Sequence, residues 1–83
     1  MNMNKDFYTT SDLSLATLIS LSFVLDHIDQ TNPRRAVFVF RSDDEIYQLV
    51  EAFWSDQARV SPRIYFSQLK YLKSRLYEER GRA

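Results

Sequence analysis

The longest uninterrupted apolar run in the chain extends from Ala36 to Phe40 and reads A-V-F-V-F. β-Branched and aromatic residues in a short run pack well on a pleated surface, which is typical of a buried strand. Arg34 and Arg35 precede the run, and Arg41 follows it. We therefore predict a strand whose middle belongs to the core and whose ends carry charge.

A second extended segment comes before this strand. Residues Phe23 to Gln30 are rich in Phe, Val, Leu and Ile, and Thr31-Asn32-Pro33 follows them. Asn bonds its own backbone in turns, Pro fixes the turn geometry, and the residue before Pro is kept out of the helical region. Two strand-like runs joined by a short turn predict an antiparallel hairpin.

The segment before the hairpin predicts a helix from Asp12 to about Leu21. Thr10 or Ser11 can cap its first backbone N–H groups, and Asp12 suits the positive end of the helix dipole. The apolar residues of this segment cover most of the helix circumference, with only Ser and Thr between them. We therefore expect the first helix to be largely buried.

Two further helices are predicted after the hairpin. Ser42 to Glu45 reads S-D-D-E, the pattern of a capping box, and predicts a second helix from about Asp43 to Ser55. Ser61-Pro62 predicts the start of a third helix, because Pro at the first helical position loses no hydrogen bond. This helix is expected to run to about Arg80 and to end at Gly81. Its core-facing stripe has 4-3-4 spacing and consists of Tyr65, Leu69, Leu72 and Leu76.

The predicted fold is a single small α+β domain of order α-β-β-α-α, in which three helices pack an antiparallel β-hairpin. The chain has 83 residues, of which 45% are hydrophobic, and this length suits one domain with one core. We expect a flexible N-terminus at 1–6, a globular domain at 7–80 and a C-terminal tail at 81–83.

Composition narrows the function classes. The chain has no cysteine, which excludes disulfides and thiolate metal sites. Its N-terminus lacks the apolar region of a signal peptide, and no run approaches the roughly 18 apolar residues of a membrane span, so we expect a cytoplasmic protein. We also expect no cofactor. Eleven basic residues balance eleven acidic ones, and a zero net charge disfavours a general polyanion binder.

Several motifs together resemble a known family. Phe7 to Ala16 reads F-Y-T-T-S-D-L-S-L-A, Ile28 to Arg35 reads I-D-Q-T-N-P-R-R, and F-V-F and S-P-R-I-Y-F runs follow. The chain resembles, from Phe7 to Tyr77, a small uncharacterised domain family of bacteria and phages with a Y-T-T-S-D-L-x-L-A start and an N-P-R-R turn. The resemblance implies one intact domain and no established activity. The family has Gly where the first helix meets the first strand. Here Ser22 takes that place, so we expect the helix end to avoid the left-handed conformation.

A basic and aromatic face is predicted on the third helix, beside its core stripe. At about 100° per residue, one side of this helix collects Arg63, Phe66, Lys70, Lys73, Tyr77 and Arg80. Cations can contact phosphates and rings can stack on bases, so this face is a candidate nucleic-acid site. It can equally be a solvated face or a protein contact, and Phe66 can instead widen the core stripe.

The hairpin arginines are a second candidate. Arg34 and Arg35 at the turn offer rigid forks of donors that match phosphate or carboxylate, although exposed turns commonly carry charge for solubility alone. A strand followed by two helices also matches ribbon-helix-helix dimers superficially. Reading bases in that way needs polar side chains along the strand, and Ala36 to Phe40 has none. We expect no base reading by this strand.

Enzyme chemistry has little support in the sequence. His27 and Asp29 would share a strand face, where a carboxylate can orient an imidazole. No nucleophile lies at an identifiable spacing, the chain has one glycine and one histidine, and His27 with Asp26 or Asp29 gives too few metal ligands. We expect a surface-polar strand and no catalysis.

The alternative to nucleic-acid binding is a protein-interaction module, such as a phage-type regulator or inhibitor, or a small subunit of a larger complex. Both faces of the hairpin carry apolar residues, and one of them can remain exposed. Tyr47 and Trp54 lie seven apart beside the main apolar face of the second helix. The aromatic residues of this possible partner surface are Tyr47, Trp54, Phe66 and Tyr77.

Overall fold

A computed structural model of the chain describes residues 7–81, and its account of side chains ends at residue 78. The elements are β1 (Phe7–Thr10), α1 (Leu13–Ser20), β2 (Leu25–Asp29), β3 (Val37–Arg41), α2 (Asp44–Trp54) and α3 (Pro62–Gly81). The α+β class and the predicted order α-β-β-α-α are confirmed, and β1 is an additional strand that precedes the first helix. The predicted flexible segment 1–6 and residues 82–83 of the predicted tail lie outside the described residues.

The sheet has three strands in the order β1-β3-β2, and both pairings are antiparallel. The predicted hairpin is confirmed as β2 and β3, and β1 pairs with the other side of β3 from Phe7 opposite Arg41 to Thr10 opposite Phe38. The run from Ala36 to Phe40 therefore supplies the central strand. The sequence pattern of Phe7–Thr10, with two aromatic and two β-branched residues, explains why it forms a strand.

The two faces of the sheet differ in what covers them. Phe38 and Phe40 are fully buried and belong to the main hydrophobic cluster, together with Ile28 of β2. Because side chains alternate along a strand, Val37 and Val39 lie on the opposite face. That opposite face is bordered by exposed side chains of β1 and β2, namely Phe7, Thr9, His27 and Asp29. The helices therefore lie on one side of the sheet, and the other side is exposed along β1 and β2, although Val39 at its centre is only 9% exposed.

Helix α1 lies at the centre of the core, as its apolar circumference predicted. Five consecutive residues, Leu15–Ile19, are buried, and the hydroxyl of Thr17 donates to the carbonyl of Leu13 at 2.8 Å. The prediction that Thr10 or Ser11 caps this helix is wrong. Asp12 is the N-cap, and its carboxylate accepts from the backbone N–H of Leu15 at 3.0 Å, because an acidic oxygen satisfies that N–H strongly.

The observed helix ends differ by a residue or two from those that the capping residues predict. The capping box beginning at Ser42 is wrong by one residue, since Asp43 is the N-cap of α2 and accepts from the N–H of Glu45 at 2.9 Å. Leu21 ends α1 with φ of −74°, so the expected absence of a left-handed residue there is confirmed. Within residues 7–81, the one non-glycine residue with positive φ is Asp56, at 63°, just after α2.

Helix α3 packs against α1 and shows the predicted core stripe. Leu72 is fully buried, and Leu76 is partly buried against the same cluster. Hydrogen bonds also join the helices: the Tyr65 hydroxyl donates to the Ser14 carbonyl at 3.0 Å, and the Gln68 amide donates to the Ser20 hydroxyl at 2.9 Å. Among the described residues, no helix has both the length and the apolar character required to cross a membrane.

Candidate functional site

The outer face of α3 lies beside its contact with α1, about a third of a turn around the helix. All five of its residues with described side chains are exposed: Arg63, Phe66, Lys70, Lys73 and Tyr77. Their spacing alternates between three and four residues, which places successive side chains about 5–6 Å apart along one side of a helix. The structure therefore assembles this part of the predicted basic face. The backbone of Arg80 continues α3, but its side chain lies outside the described residues.

The described part of this outer face carries positive charge and no acidic side chain. No acidic residue occurs between Arg63 and Tyr77 in the sequence. Within the described side chains, no ion pair involves Arg63, Lys70 or Lys73. Solvated ammonium and guanidinium groups on one helix face produce a local positive potential although the whole chain has a net charge of zero.

The two aromatic residues of the outer face are exposed as well. Phe66 is 58% exposed and Tyr77 is 66% exposed. The ring of Phe66 contacts Tyr65 edge-on with ring centroids 5.8 Å apart, so it touches the core stripe only at its margin. The alternative that Phe66 widens the core is wrong, because at about 100° per residue it lies more than a quarter-turn away from the buried Leu72.

The hairpin arginines form a separate group. Asn32 accepts from the backbone N–H of Arg34 at 2.9 Å through its side-chain oxygen, which is the turn chemistry that the sequence predicted. The guanidinium of Arg35 donates from Nε to the hydroxyl of Ser11 at 2.8 Å. Both arginines are exposed. The predicted phosphate contacts therefore lie on two separate elements, the turn between β2 and β3 and the helix α3, and no hydrogen bond or ion pair joins them among the described residues.

The aromatic residues of α2 lie on another surface. Tyr47 is 50% exposed and meets the ring of Tyr8 edge-on at 5.7 Å, while Trp54 is 64% exposed and packs edge-on against Phe53 at 4.9 Å. Partial burial, with the nearby Tyr47 and Asp12, raises the pKa of Tyr8 from its ordinary value. Tyr47 and Trp54 therefore lie on α2, whereas Phe66 and Tyr77 lie on α3.

Sequence reasoning missed the environment of Tyr47. One flank of α2 carries four exposed side chains at positions i, i+3, i+7 and i+10. They are Asp44, Tyr47, Glu51 and Trp54. The sequence predicts no strand at Phe7–Thr10, so it does not predict that this acidic and aromatic flank lies beside β1. The spacing of the two acids and two rings was the signal that could have found it.

His27 and Asp29 of β2 are exposed on the same face of the sheet, as the sequence predicted, and the closest polar partner of His27 is its neighbour Asp26. The Nδ1 atom of His27 lies 2.7 Å from the carboxylate of its neighbour Asp26, at an irregularity in the β2–β3 register, and Arg41 lies 3.9 Å from the same carboxylate. Hydrogen bonds from Thr31 lower the pKa of Asp29. Among the described residues, no group of three or more His, Asp or Glu side chains is placed to hold a metal ion.

Comparison with known proteins identifies a family and no individual relative. No curated protein and no solved structure matches this chain. One family model, described as a domain of unknown function (DUF5659), matches residues 5–78, which include every helix and strand from β1 through most of α3. The chain therefore belongs to the DUF5659 family of domains of unknown function.

Proposed function

We propose that this chain is a non-catalytic nucleic-acid-binding domain whose main contact surface is the outer face of α3. The observation that supports this proposal is the uninterrupted exposure of three cations and two rings along one side of the helix. Cations hold phosphates through charge, and exposed rings stack on bases without reading sequence.

The arrangement along the helix favours single-stranded nucleic acid. Lys70 and Lys73 lie between Phe66 and Tyr77, which are separated by about 16 Å along the axis at about 1.5 Å per residue. A strand held by its phosphates at the lysines would place bases near a ring on either side. Stacking of this kind needs unpaired bases, which a duplex does not offer.

The local charge sets the expected salt dependence. Three phosphate contacts, at Arg63, Lys70 and Lys73, predict a slope of about −2 for log K against log salt with a single strand. Arg34 and Arg35 lie at a different place, so they would add to this slope only if a longer strand also reaches the hairpin turn.

Fluorescence anisotropy with labelled single-stranded and duplex oligonucleotides, titrated with salt, tests the proposal. Charge reversal of Lys70 and Lys73 together should abolish most of the salt dependence, and Phe66→Ala with Tyr77→Ala should weaken single-strand binding while leaving the slope unchanged. Arg59→Glu is a suitable control for the single variant Lys73→Glu, because Arg59 is an exposed cation of the linker before α3.

Two results would contradict the proposal. One is the absence of detectable binding at about 50 mM salt, where phosphate contacts are strong. The other is an equal loss of affinity in Arg59→Glu and Lys73→Glu, which would mean that overall charge, rather than the outer face of α3, determines binding. Circular dichroism of each variant confirms that the fold is retained.

A further inference from the structure

Strand β1 has an edge whose backbone groups have no strand partner within the described residues 7–81. It is an edge strand, because the order is β1-β3-β2. The N–H of Arg41 donates to Val24, on the β2 side of β3, at 3.1 Å. Backbone groups of an antiparallel strand point alternately to its two sides. Arg41 therefore forms no backbone hydrogen bond with Phe7, its partner in β1. The N–H and C=O groups of Phe7, and those of Thr9 two residues later, consequently point away from the sheet.

The two edges of the sheet differ in their protection against pairing. The β2 edge carries a register irregularity and the exposed side chains of Asp26, His27 and Asp29. Bulges and charges are the usual devices that prevent another strand from adding to an edge. β1 reads F-Y-T-T, with no charge and no proline, and its register with β3 is regular. Of the two edges, the β1 edge therefore lacks a bulge, a charge and a proline that would prevent another strand from pairing with it.

A groove accompanies this edge. Its volume is about 370 Å³, and it is lined by Phe7, Tyr8, Thr9 and Tyr47. Tyr47 stands on α2, so the groove lies between a strand edge and a helix. Extended peptides bind such places by main-chain pairing to the strand while alternate side chains enter the groove.

Charge around the groove indicates which peptide fits. Asp44 and Glu51 lie on the same exposed flank of α2 as Tyr47, and neither forms an ion pair with another described side chain. Asp12 is close enough to Tyr8 to act on it electrostatically.

The guanidinium of Arg41 lies 5.9 Å from the centre of the Phe7 ring, so the groove has a cation at Phe7 and carboxylates along the α2 flank. Complementary charge along that flank favours a partner with Lys or Arg there and disfavours an acidic one.

We propose that the β1 edge binds an extended, basic peptide segment of a partner protein, which pairs with Phe7 and Thr9 as an additional strand. This site is distinct from the outer face of α3, so the protein can bind the peptide and a nucleic acid with different residues. The rings of Tyr8 and Tyr47 supply apolar contact, and Asp44 and Glu51 supply the preference for Lys or Arg.

The test uses the full chain and three fluorescein-labelled octapeptides. One alternates Arg with Val, one alternates Glu with Val, and one is the Arg peptide N-methylated at every Val to remove backbone donors. The Arg peptide should bind at least about tenfold more tightly than either of the others. In NMR hydrogen exchange, the amides of Phe7 and Thr9 should become protected when the Arg peptide is added.

Matched variants separate the backbone and charge contributions. Thr9→Pro removes an outward N–H at an edge position, where proline is tolerated, and should weaken binding about tenfold, whereas Thr9→Val should not. Asp44→Lys with Glu51→Lys should also weaken binding about tenfold, while Glu45→Lys, on the opposite flank of α2, should have little effect. Charge reversal of Lys70 and Lys73 should leave peptide affinity unchanged, which separates this test from that of nucleic-acid binding.

Three outcomes would overturn the proposal. The first is equal affinity for the Arg and Glu peptides, and the second is equal affinity of Thr9→Pro and Thr9→Val when both variants are folded. The third is protection of the Phe7 and Thr9 amides without peptide that increases with protein concentration. That result would assign the edge to a second copy of this chain.

Discussion

Helices α1 and α3 pack against each other but differ in burial: α1 lies in the core, whereas α3 exposes most of its surface. α1 has eight residues, of which five in succession are buried, and it contains no charged residue. α3 has twenty residues, and Leu72 is the fully buried one among its described side chains. Along its length α3 also carries exposed cations and rings, from Arg63 to Tyr77.

The difference in length explains the difference in role. At about 1.5 Å per residue, α1 spans about 12 Å and α3 about 30 Å, so a short helix cannot cover the long one. The stripe that includes Leu72 attaches α3 to the core, and the rest of its surface meets water. Substitutions in α1 should therefore change stability, whereas substitutions on the exposed sides of α3 should change binding and leave stability nearly constant.

The largest expected contrast comes from the same substitution in each helix. Ile19 of α1 is 0% exposed and Ile64 of α3 is 58% exposed. Ile19→Ala removes buried methyl groups and leaves a cavity, and should lower the free energy of unfolding by about 2–5 kcal/mol. Ile64→Ala should change it by less than about 0.5 kcal/mol. Urea unfolding followed by circular dichroism measures both values, and equal losses would show that α3 is buried more extensively than its exposure indicates.

A smaller contrast concerns the caps of the two helices. The carboxylate of Asp12 accepts from the N–H of Leu15 at 3.0 Å, whereas the hydroxyl of Ser61 lies 3.5 Å from the N of Ile64, at the limit of a hydrogen bond. Asp12→Ala should cost about 1 kcal/mol of unfolding free energy, and Ser61→Ala less than about 0.5 kcal/mol. Thermal unfolding of the two variants at neutral pH checks the order. A larger loss for Ser61→Ala would mean that the start of α3 matters more to the fold than its exposure suggests.

The sequence predicted α1 and α3 well because their signals are strong. The apolar circumference of α1 and the 4-3-4 stripe of α3 are long periodic patterns, and these decide helix existence more reliably than helix ends. The predicted caps are one or two residues away from the observed ones, because Thr, Ser and Asp occur in succession before α1, Ser and Asp occur before α2, and each is a competent cap. Only the three-dimensional path of the chain selects Asp12 and Asp43.

The candidate site was predictable in part for a related reason. Residues on one helix face are related by local geometry, so the alignment from Arg63 to Tyr77 followed from spacing alone. The flank of α2 beside β1 joins segments that are more than thirty residues apart in the chain, such as Tyr8 and Tyr47. Four residues are too few for alternation to identify a strand, and β1 acquires its role by pairing with β3. Without β1, the groove and the free edge could not be inferred.

The smallest expected effect concerns the hydrogen bond that joins the two helices. The hydroxyl of Tyr65 donates to the carbonyl of Ser14 at 3.0 Å, whereas Tyr71 is 53% exposed and has no hydrogen-bond partner among the described residues. Tyr65→Phe should lower the free energy of unfolding by about 0.5–1 kcal/mol, and Tyr71→Phe by nearly nothing.

Hydrogen exchange can localise that loss. If the bond serves mainly to fasten α3 to α1, Tyr65→Phe should accelerate amide exchange in the first turns of α3 while α1 keeps its protection, because α1 is held by the buried side chains of Leu15–Ile19. Equal acceleration in both helices would show that they open as one unit. In that case α1 and α3 would contribute to stability together rather than separately. The outer face of α3 would still be free to bind.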